Sequence, residues 1–365
     1  MIQKTKISIK IILVTFLLSG PLLLSQSETS NTQVKNALGK VINIDSLNIY
    51  TQALMQKLNV PGISMAIIND GKLVYHSVKG YANLEENQKV TNKTIFEAAS
   101  LSKPLFSFFV MDFVERGLLD LDTPLYQYLP YTDIAHDSRY KKITARMVLS
   151  HTTGFPNWRQ DYESNQLFIQ FDPGTAFFYS GEGYQYLAKV LMHLEKTDDA
   201  GLEQIFQERV GRPLQLLVTK FVQDNNNLEN KATGYKESQV YQGDDDPNVF
   251  GSAFSIHSEA SDFSKWIIAL MNKDLITKSS YEQLFKTQVV LPEDSEQREV
   301  GISEWTLGFA KANLPIGTAY GHGGNNPGFT SLFGFFPNTK WGFVIFTNAN
   351  QSTLPHTLLQ YLMTP

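Results

Sequence analysis

The sequence predicts an α+β protein: a mainly antiparallel sheet built from both chain ends and flanked by helices, with a mainly helical lobe inserted between the two halves. Three observations carry this. Near the N-terminus, Ile63–Ile68 and Lys72–Val78 flank Asn69-Asp70-Gly71, the strongest short hairpin signal. Near the C-terminus, Trp305–Phe309, Phe329–Phe336 and Trp341–Thr347 read as strands, with Pro337–Lys340 turning between the last two. Between these ends, residues 118–235 carry helical patterns, prolines and polar turns, and little alternation.

The elements follow in order. Leu47, Tyr50, Leu54, Met55 and Leu58 recur at helical spacing, and Val60-Pro61-Gly62 ends that helix before the hairpin. Residues 80–94 read as a loop. Leu105–Val114 is apolar almost throughout, which requires a helix buried on nearly all sides until Gly117 stops it. Pro104 suits its first turn, and Ser100 or Ser102 can cap it. A short helix over Thr144–Leu149 ends at His151-Thr-Thr-Gly154, where His151 reads as a structural histidine. After the turn at Phe171–Thr175, Phe177–Ser180 leads into a helix carrying Tyr184, Leu187, Leu191 and Leu194. Asp244-Asp-Asp246 reads as a solvated tip, because nothing near it supplies the glycine and spaced carboxylates of a calcium loop. Amphipathic Ser261–Met271 and a closing helix over Leu354–Met363 complete the set.

Of 365 residues, 42% are hydrophobic and 18% charged, an ordinary globular composition large enough for a sizeable core. A formal net charge of -5 leaves no basic field for a nucleic acid, so none is expected as a partner. There is no cysteine, which removes thiol chemistry, disulfides and a cysteine-linked lipid. The seven histidines show no pair at metal-ligand spacing on one helix, so neither metal nor cofactor is expected. Lys4, Lys6 and Lys10 precede the apolar run Ile11–Leu24, whose length falls short of a membrane span. Residues 1–26 therefore read as a signal peptide, 27–40 as a flexible lead-in and 41–365 as one domain. The expected location is exported, periplasmic or extracellular, in a bacterial envelope. A membrane enters only through an uncleaved N-terminal segment.

Chemistry points to Phe96-Glu-Ala-Ala-Ser100-Leu-Ser-Lys103-Pro104. A helix starting near Ser100 stacks Ser100 and Lys103 on one face, a nucleophile beside a base. Burial of the helix lowers the pKa of the lysine, and a neutral amine can take the serine proton. Ser-x-x-Lys alone is weak, because about one or two copies arise by chance in a chain of this size. Ser138 and Lys141 match as well, but in the polar run Asp137–Lys142 with no buried helix behind it.

Two further segments complete a constellation: Tyr179-Ser-Gly181 in the helical lobe and His322-Gly-Gly324 just ahead of a C-terminal strand. With Val60–Ile63, Leu149–Gly154 and Pro173–Thr175 in order, the chain from about Leu54 onward resembles the serine β-lactamase and penicillin-binding-protein superfamily. It is most similar to class C β-lactamases, D-alanyl-D-alanine carboxypeptidases and related esterases. The resemblance implies Ser100 as the acylated nucleophile and Lys103 as its proton partner. It implies Tyr179 as the group that protonates the leaving group, its ionisation eased by nearby positive charge. The backbone N–H groups of Ser100 and Asn325 form the implied oxyanion hole, with Gly323 and Gly324 letting substrate lie along the strand. Two departures bear on substrate. Gly181 stands where the family usually has an asparagine that holds an acylamino group, and His322 stands where penicillin-recognising members have a lysine. Both favour a neutral ester or small amide over a penicillin. A D-amino-acid-specific peptidase or weak β-lactamase is the alternative, and a non-catalytic binding or sensor module or a structural envelope protein stays open on sequence alone.

Overall fold

The structure, a computed structural model, describes residues 33–364. The expected signal segment and residues 27–32 of the lead-in lie outside the described residues. The remainder of the lead-in carries a strand: Gln33–Lys35 (β1) pairs antiparallel with Val41–Asn43 (β2). Asn36 closes that turn by accepting the N–H groups of Leu38 and Lys40.

Ile44–Lys57 (α1) is N-capped by Asn43. Gly62–Asn69 (β3) and Lys72–Asn83 (β4) form the expected hairpin, with Asp70 and Gly71 both left-handed, at φ 52° and 72°. β4 continues past Val78 through the expected loop and pairs with Gln88–Lys89 (β5). Phe96–Ala99 (β6) is a buried strand too short to show a period, followed by Ser102–Glu115 (α2). The lobe holds Ala145–Leu149 (α3), Gly181–Glu195 (α4), Asp199–Phe206 (α5) and Asn225–Glu229 (α6), joined by irregular chain and 3-10 turns. Tyr235–Lys236 (β7) and Gln239–Val240 (β8) make a small hairpin, and Ile256–Ser258 (β9) pairs with β6. Ala260–Asn272 (α7), Lys278–Phe285 (α8), Val289–Val290 (β10), Glu296–Glu299 (α9) and Glu304–Trp305 (β11) lead into the C-terminal strands. The strand expected over Trp305–Phe309 is broken at Gly308, φ 88°, and resumes as Ala310–Leu314 (β12). Gly317–Asn326 (β13) contains His322-Gly-Gly324, which is therefore part of a strand. Phe329–Phe336 (β14), Trp341–Thr347 (β15) and Leu354–Leu362 (α10) end the chain.

One antiparallel sheet unites the chain ends, in the order β10-β11-β12-β13-β14-β15-β3-β4-β5. Alternation sorts its side chains. Ile63, Met65, Ile67, Phe343 and Ile345 face α1 and α10, whereas Ala66, Ile68, Val344 and Phe346 join the larger core around α2, α4 and α7. Within that core α2 is enclosed by other elements: every residue from Ser102 to Met111 is buried. Phe109 meets Phe113 and Phe206 edge-on at 5.3 and 5.5 Å. Phe109→Ala should cost roughly 3–5 kcal/mol, read as a lower urea midpoint at unchanged slope.

Candidate active site

The nucleophile candidate sits on a strand–turn–helix junction. β6 ends with Ala99 in the left-handed region at φ 52°, and that reversal brings Ser100 out at the head of α2. α2 begins at Ser102, later than the expected start, and no side chain caps it. Ser102 instead donates to the Ala99 carbonyl at 2.6 Å and accepts the Ile256 N–H at 2.9 Å, which ties the turn to β9. Ser331 on β14 donates to the Ala98 carbonyl at 2.7 Å. Gly324 on β13 presses on the same turn: a Cβ there would stand 2.6 Å from the Ala98 oxygen and 3.0 Å from the Ser100 nitrogen. Glycine at 324 is thus a requirement of close approach, and it brings the third motif to the first.

Lys103 is 1% exposed, and its Nζ lies 3.2 Å from Ser100 Oγ while donating to the Ala253 carbonyl at 2.8 Å. Among the described residues it has no carboxylate partner. Desolvation with no opposite charge lowers its pKa to about 7. Its nearest aromatic surface is the Tyr179 ring, 4.6 Å from Nζ to the centroid. The Tyr179 hydroxyl faces the Ser100 side chain, but burial pushes its pKa well up. The expected easing of its ionisation is therefore outweighed: the phenol keeps its proton and is a donor. Ser138 and Lys141 are both exposed, in a 3-10 turn at Ser138–Lys142.

His322 is buried on β13 with Nδ1 2.5 Å from the Gly323 oxygen. Burial, with Lys103 adding to it, lowers its pKa to about 3, so it is a neutral group. β12 pairs with β13 only as far as Gly321. The edge of β13 along Gly323 and Asn325, both exposed, is left without a strand neighbour on that side. Gly181 is the first residue of α4, against Trp158. All the residues singled out in the sequence, Ser100, Lys103, Tyr179, Gly181, His322, Gly323, Gly324 and Asn325, thus belong to the junction of β6–α2, the start of α4 and β13.

His151 was expected to be structural, and it proves to hold Tyr179 from both sides. Its carbonyl accepts the Phe178 N–H at 2.9 Å, and its Nδ1 accepts the Ser180 N–H at 3.1 Å. Its ring lies 4.4 Å from the Tyr179 ring, tilted by 30°. The backbone of His151 is left-handed, at φ 58°, which is costly for a residue with a large side chain. Trp305 closes the far side, its ring centroid 6.1 Å from Tyr179 and 5.5 Å from His322. A left-handed histidine leaves no mark in a single sequence. The run Leu149–Gly154 carried the only hint.

Known proteins agree with this architecture. The family described as Beta-lactamase matches residues 48–363, and the chain belongs to it. Protein flp of Staphylococcus aureus strain MRSA252 is 23% identical over 333 residues, 85% of this chain and 64% of flp. The chain thus spans a little under two thirds of that relative. Penicillin-binding protein 4* of Bacillus subtilis strain 168 is 23% identical over 319 residues, covering 78% of this chain and 67% of that protein. In structure, the octameric penicillin-binding protein homologue from Pyrococcus abyssi superposes with a TM-score of 0.71 at 22% identity, covering 88% of this chain and 77% of that one. The protein is a member of the serine β-lactamase and penicillin-binding-protein-like superfamily.

The low pKa of Lys103 has a sign in stability. The native state releases this proton near pH 7, and the unfolded chain holds it to about 10.4. Between those values the unfolded state binds more protons, so stability rises with pH. Relative to Lys103→Met, the wild type should gain up to about 1.4 kcal/mol per pH unit from pH 7 to 10 and nothing below pH 6, read by denaturant unfolding at each pH.

Proposed function

We propose that this protein is a serine acyl hydrolase that works through a Ser100 acyl-enzyme on an ester or small amide, with esters favoured. The observation that carries the reading is the buried Lys103 amine 3.2 Å from Ser100 Oγ, held near neutral pKa with no acid beside it. In the proposed cycle Ser100 Oγ bonds to the substrate carbonyl carbon and its proton passes to the neutral Lys103 amine. The N–H groups of Ser100 and Asn325 receive the oxyanion. The carbon–leaving-group bond then breaks as the Tyr179 hydroxyl protonates the departing oxygen or nitrogen, and Lys103 restores that proton. Water repeats the sequence on the acyl-enzyme.

The substrate side of the proposal rests on charge. His322 supplies no cation, Arg159 is committed to Asp133 and Glu182, and in the adjoining cleft Lys189 is outnumbered by Asp161, Asp244 and Asp245. A substrate carboxylate finds little there to bind, which places a D-amino-acid-specific peptidase or weak β-lactamase second. A non-catalytic sensor is disfavoured because a binding site has no use for a desolvated lysine against a serine. The reading includes export, carried by the pattern of residues 1–26 alone and checked by N-terminal sequencing of the mature protein.

The test follows nitrophenol release from a short-chain nitrophenyl ester by wild type and Ser100→Ala, with intact mass recorded at the end. Ser100-dependent turnover with an acyl adduct is expected, and an adduct retained in Ser100→Ala removes the claim. Lys103→Ala and Tyr179→Phe should each lower kcat/KM by about 10²–10⁴. The wild-type kcat/KM should fall tenfold per unit below about pH 7, as Lys103 takes up its proton. His151→Asn tolerates the left-handed backbone and should still cost about 10²-fold in kcat as Tyr179 loses its stacked support, together with a lower Tm from the cavity left at a fully buried position.

A further inference from the structure

Gly181 has a steric cause. Its φ is not left-handed, and no turn demands glycine there. A Cβ at 181 would lie 2.4 Å from Cη2 of Trp158, 2.6 Å from Cζ2 and 2.8 Å from Cζ3. The six-membered ring of the indole occupies the volume into which any side chain at 181 would project.

The indole is built in rather than swung in. On one side of it, Asn157 accepts the N–H groups of Gly181 and Glu182 through its carbonyl, both at 3.1 Å, and that of Gly181 also through Oδ1 at 3.0 Å. On the other side, Arg159 donates three bonds to the Glu182 carboxylate, at 2.8 to 3.0 Å, and one to Asp133 at 2.8 Å. Both neighbours of Trp158 are thus bonded to the first turn of α4 or its surroundings, which lays the ring over Gly181. Phe254 meets Trp158 edge-on, with centroids 5.6 Å apart and planes at 84°. Phe254 itself follows Ala253, whose carbonyl holds the Lys103 amine. Lys103 Nζ is 6.0 Å from the Trp158 ring.

Both rings are half-exposed, on the wall of a cleft of about 780 Å³ that also includes Asn325. Two partly exposed aromatic rings at right angles, next to the nucleophile and its amine, form a corner with one face and one edge to offer. A planar ring fills such a corner by stacking on one wall and meeting the other edge-on. An amide has no donor or acceptor to meet at position 181, and a saturated ring cannot stack.

We propose that Trp158 and Phe254 form an acyl-group subsite, and that the protein takes carboxylic esters whose acyl part carries an aromatic ring one or two bonds from the carbonyl. The subsite rests on the Ser100 acyl-enzyme reading, and the test separates the two. Ethyl phenylacetate and ethyl cyclohexylacetate share a leaving group without a ring and are similar in size. Acid release in a pH-stat should show the phenyl ester preferred by roughly three- to tenfold in kcat/KM. Trp158→Ala should bring the ratio within twofold, and Trp158→Phe should keep most of it.

Gly181→Asn should lower kcat/KM at least tenfold in the wild-type background and cost clearly less alongside Trp158→Ala, where the volume is free. In Ser100→Ala, which cannot acylate, binding of phenylacetamide and cyclohexylacetamide by ligand-observed NMR should show the same preference and the same loss on Trp158→Ala. Ser100-dependent turnover with no phenyl preference, or a preference untouched by Trp158→Ala, overturns the subsite and leaves the acyl-enzyme standing. Absence of turnover with a Trp158-dependent preference in the binding assay overturns the acyl-enzyme and leaves the subsite. Equal binding of the two amides overturns the subsite whatever the kinetics.

Discussion

The site depends on an amine kept out of water with no carboxylate beside it. Lys103 stands on a helix buried from Ser102 to Met111, so its charge has nothing to offset the loss of hydration. The structure answers that cost by lowering the pKa to about 7, so that a neutral amine is available 3.2 Å from a serine hydroxyl. A glutamate within reach would have restored the charge and raised the pKa again. The absence of an acid is therefore as much a part of the arrangement as the presence of the lysine.

The surrounding elements serve that pair. α2 is buried by the larger core, with Phe106, Phe109 and Phe113 among its fully enclosed residues, and this fixes Lys103 at a dry depth. The left-handed Ala99 turns the chain between strand and helix, and Ser331, Ser102 and Gly324 hold that turn from three different strands or helices. His151 does the same for Tyr179, at the expense of a left-handed backbone of its own. Two left-handed non-glycine residues thus meet at one site, each held by buried hydrogen bonds.

Position 181 shows how one substitution rearranges a neighbourhood. The lack of a side chain at the start of α4 leaves room for the indole of Trp158, which presents a flat apolar surface there. The change at 322 points the same way, since a histidine at a pKa of about 3 puts no charge on the strand. Neither residue offers a charge or a side-chain amide.

Much of this was legible from local pattern. Apolar density over Leu105–Val114 implied a buried α2, Asn69-Asp70-Gly71 implied its hairpin, and a spacing of three put Ser100 beside Lys103. These are properties of a few consecutive residues, where helical or alternating geometry leaves one outcome. β6 was invisible because four wholly buried residues have no period, and β13 was hidden by its glycines, of which Gly324 answers to Ala98 and Ser100 on a distant segment. His151 read as a structural histidine, and nothing in the local pattern singled out Trp158. Their roles arise from partners more than 20 residues away, at Ser180, Tyr179 and Gly181, and a contact of that range leaves no trace in local spacing. The chain's own pattern sets which groups can react, and the folding together of β6–α2, the head of α4 and β13 sets their protonation and what they face, because both depend on burial that only long-range packing supplies.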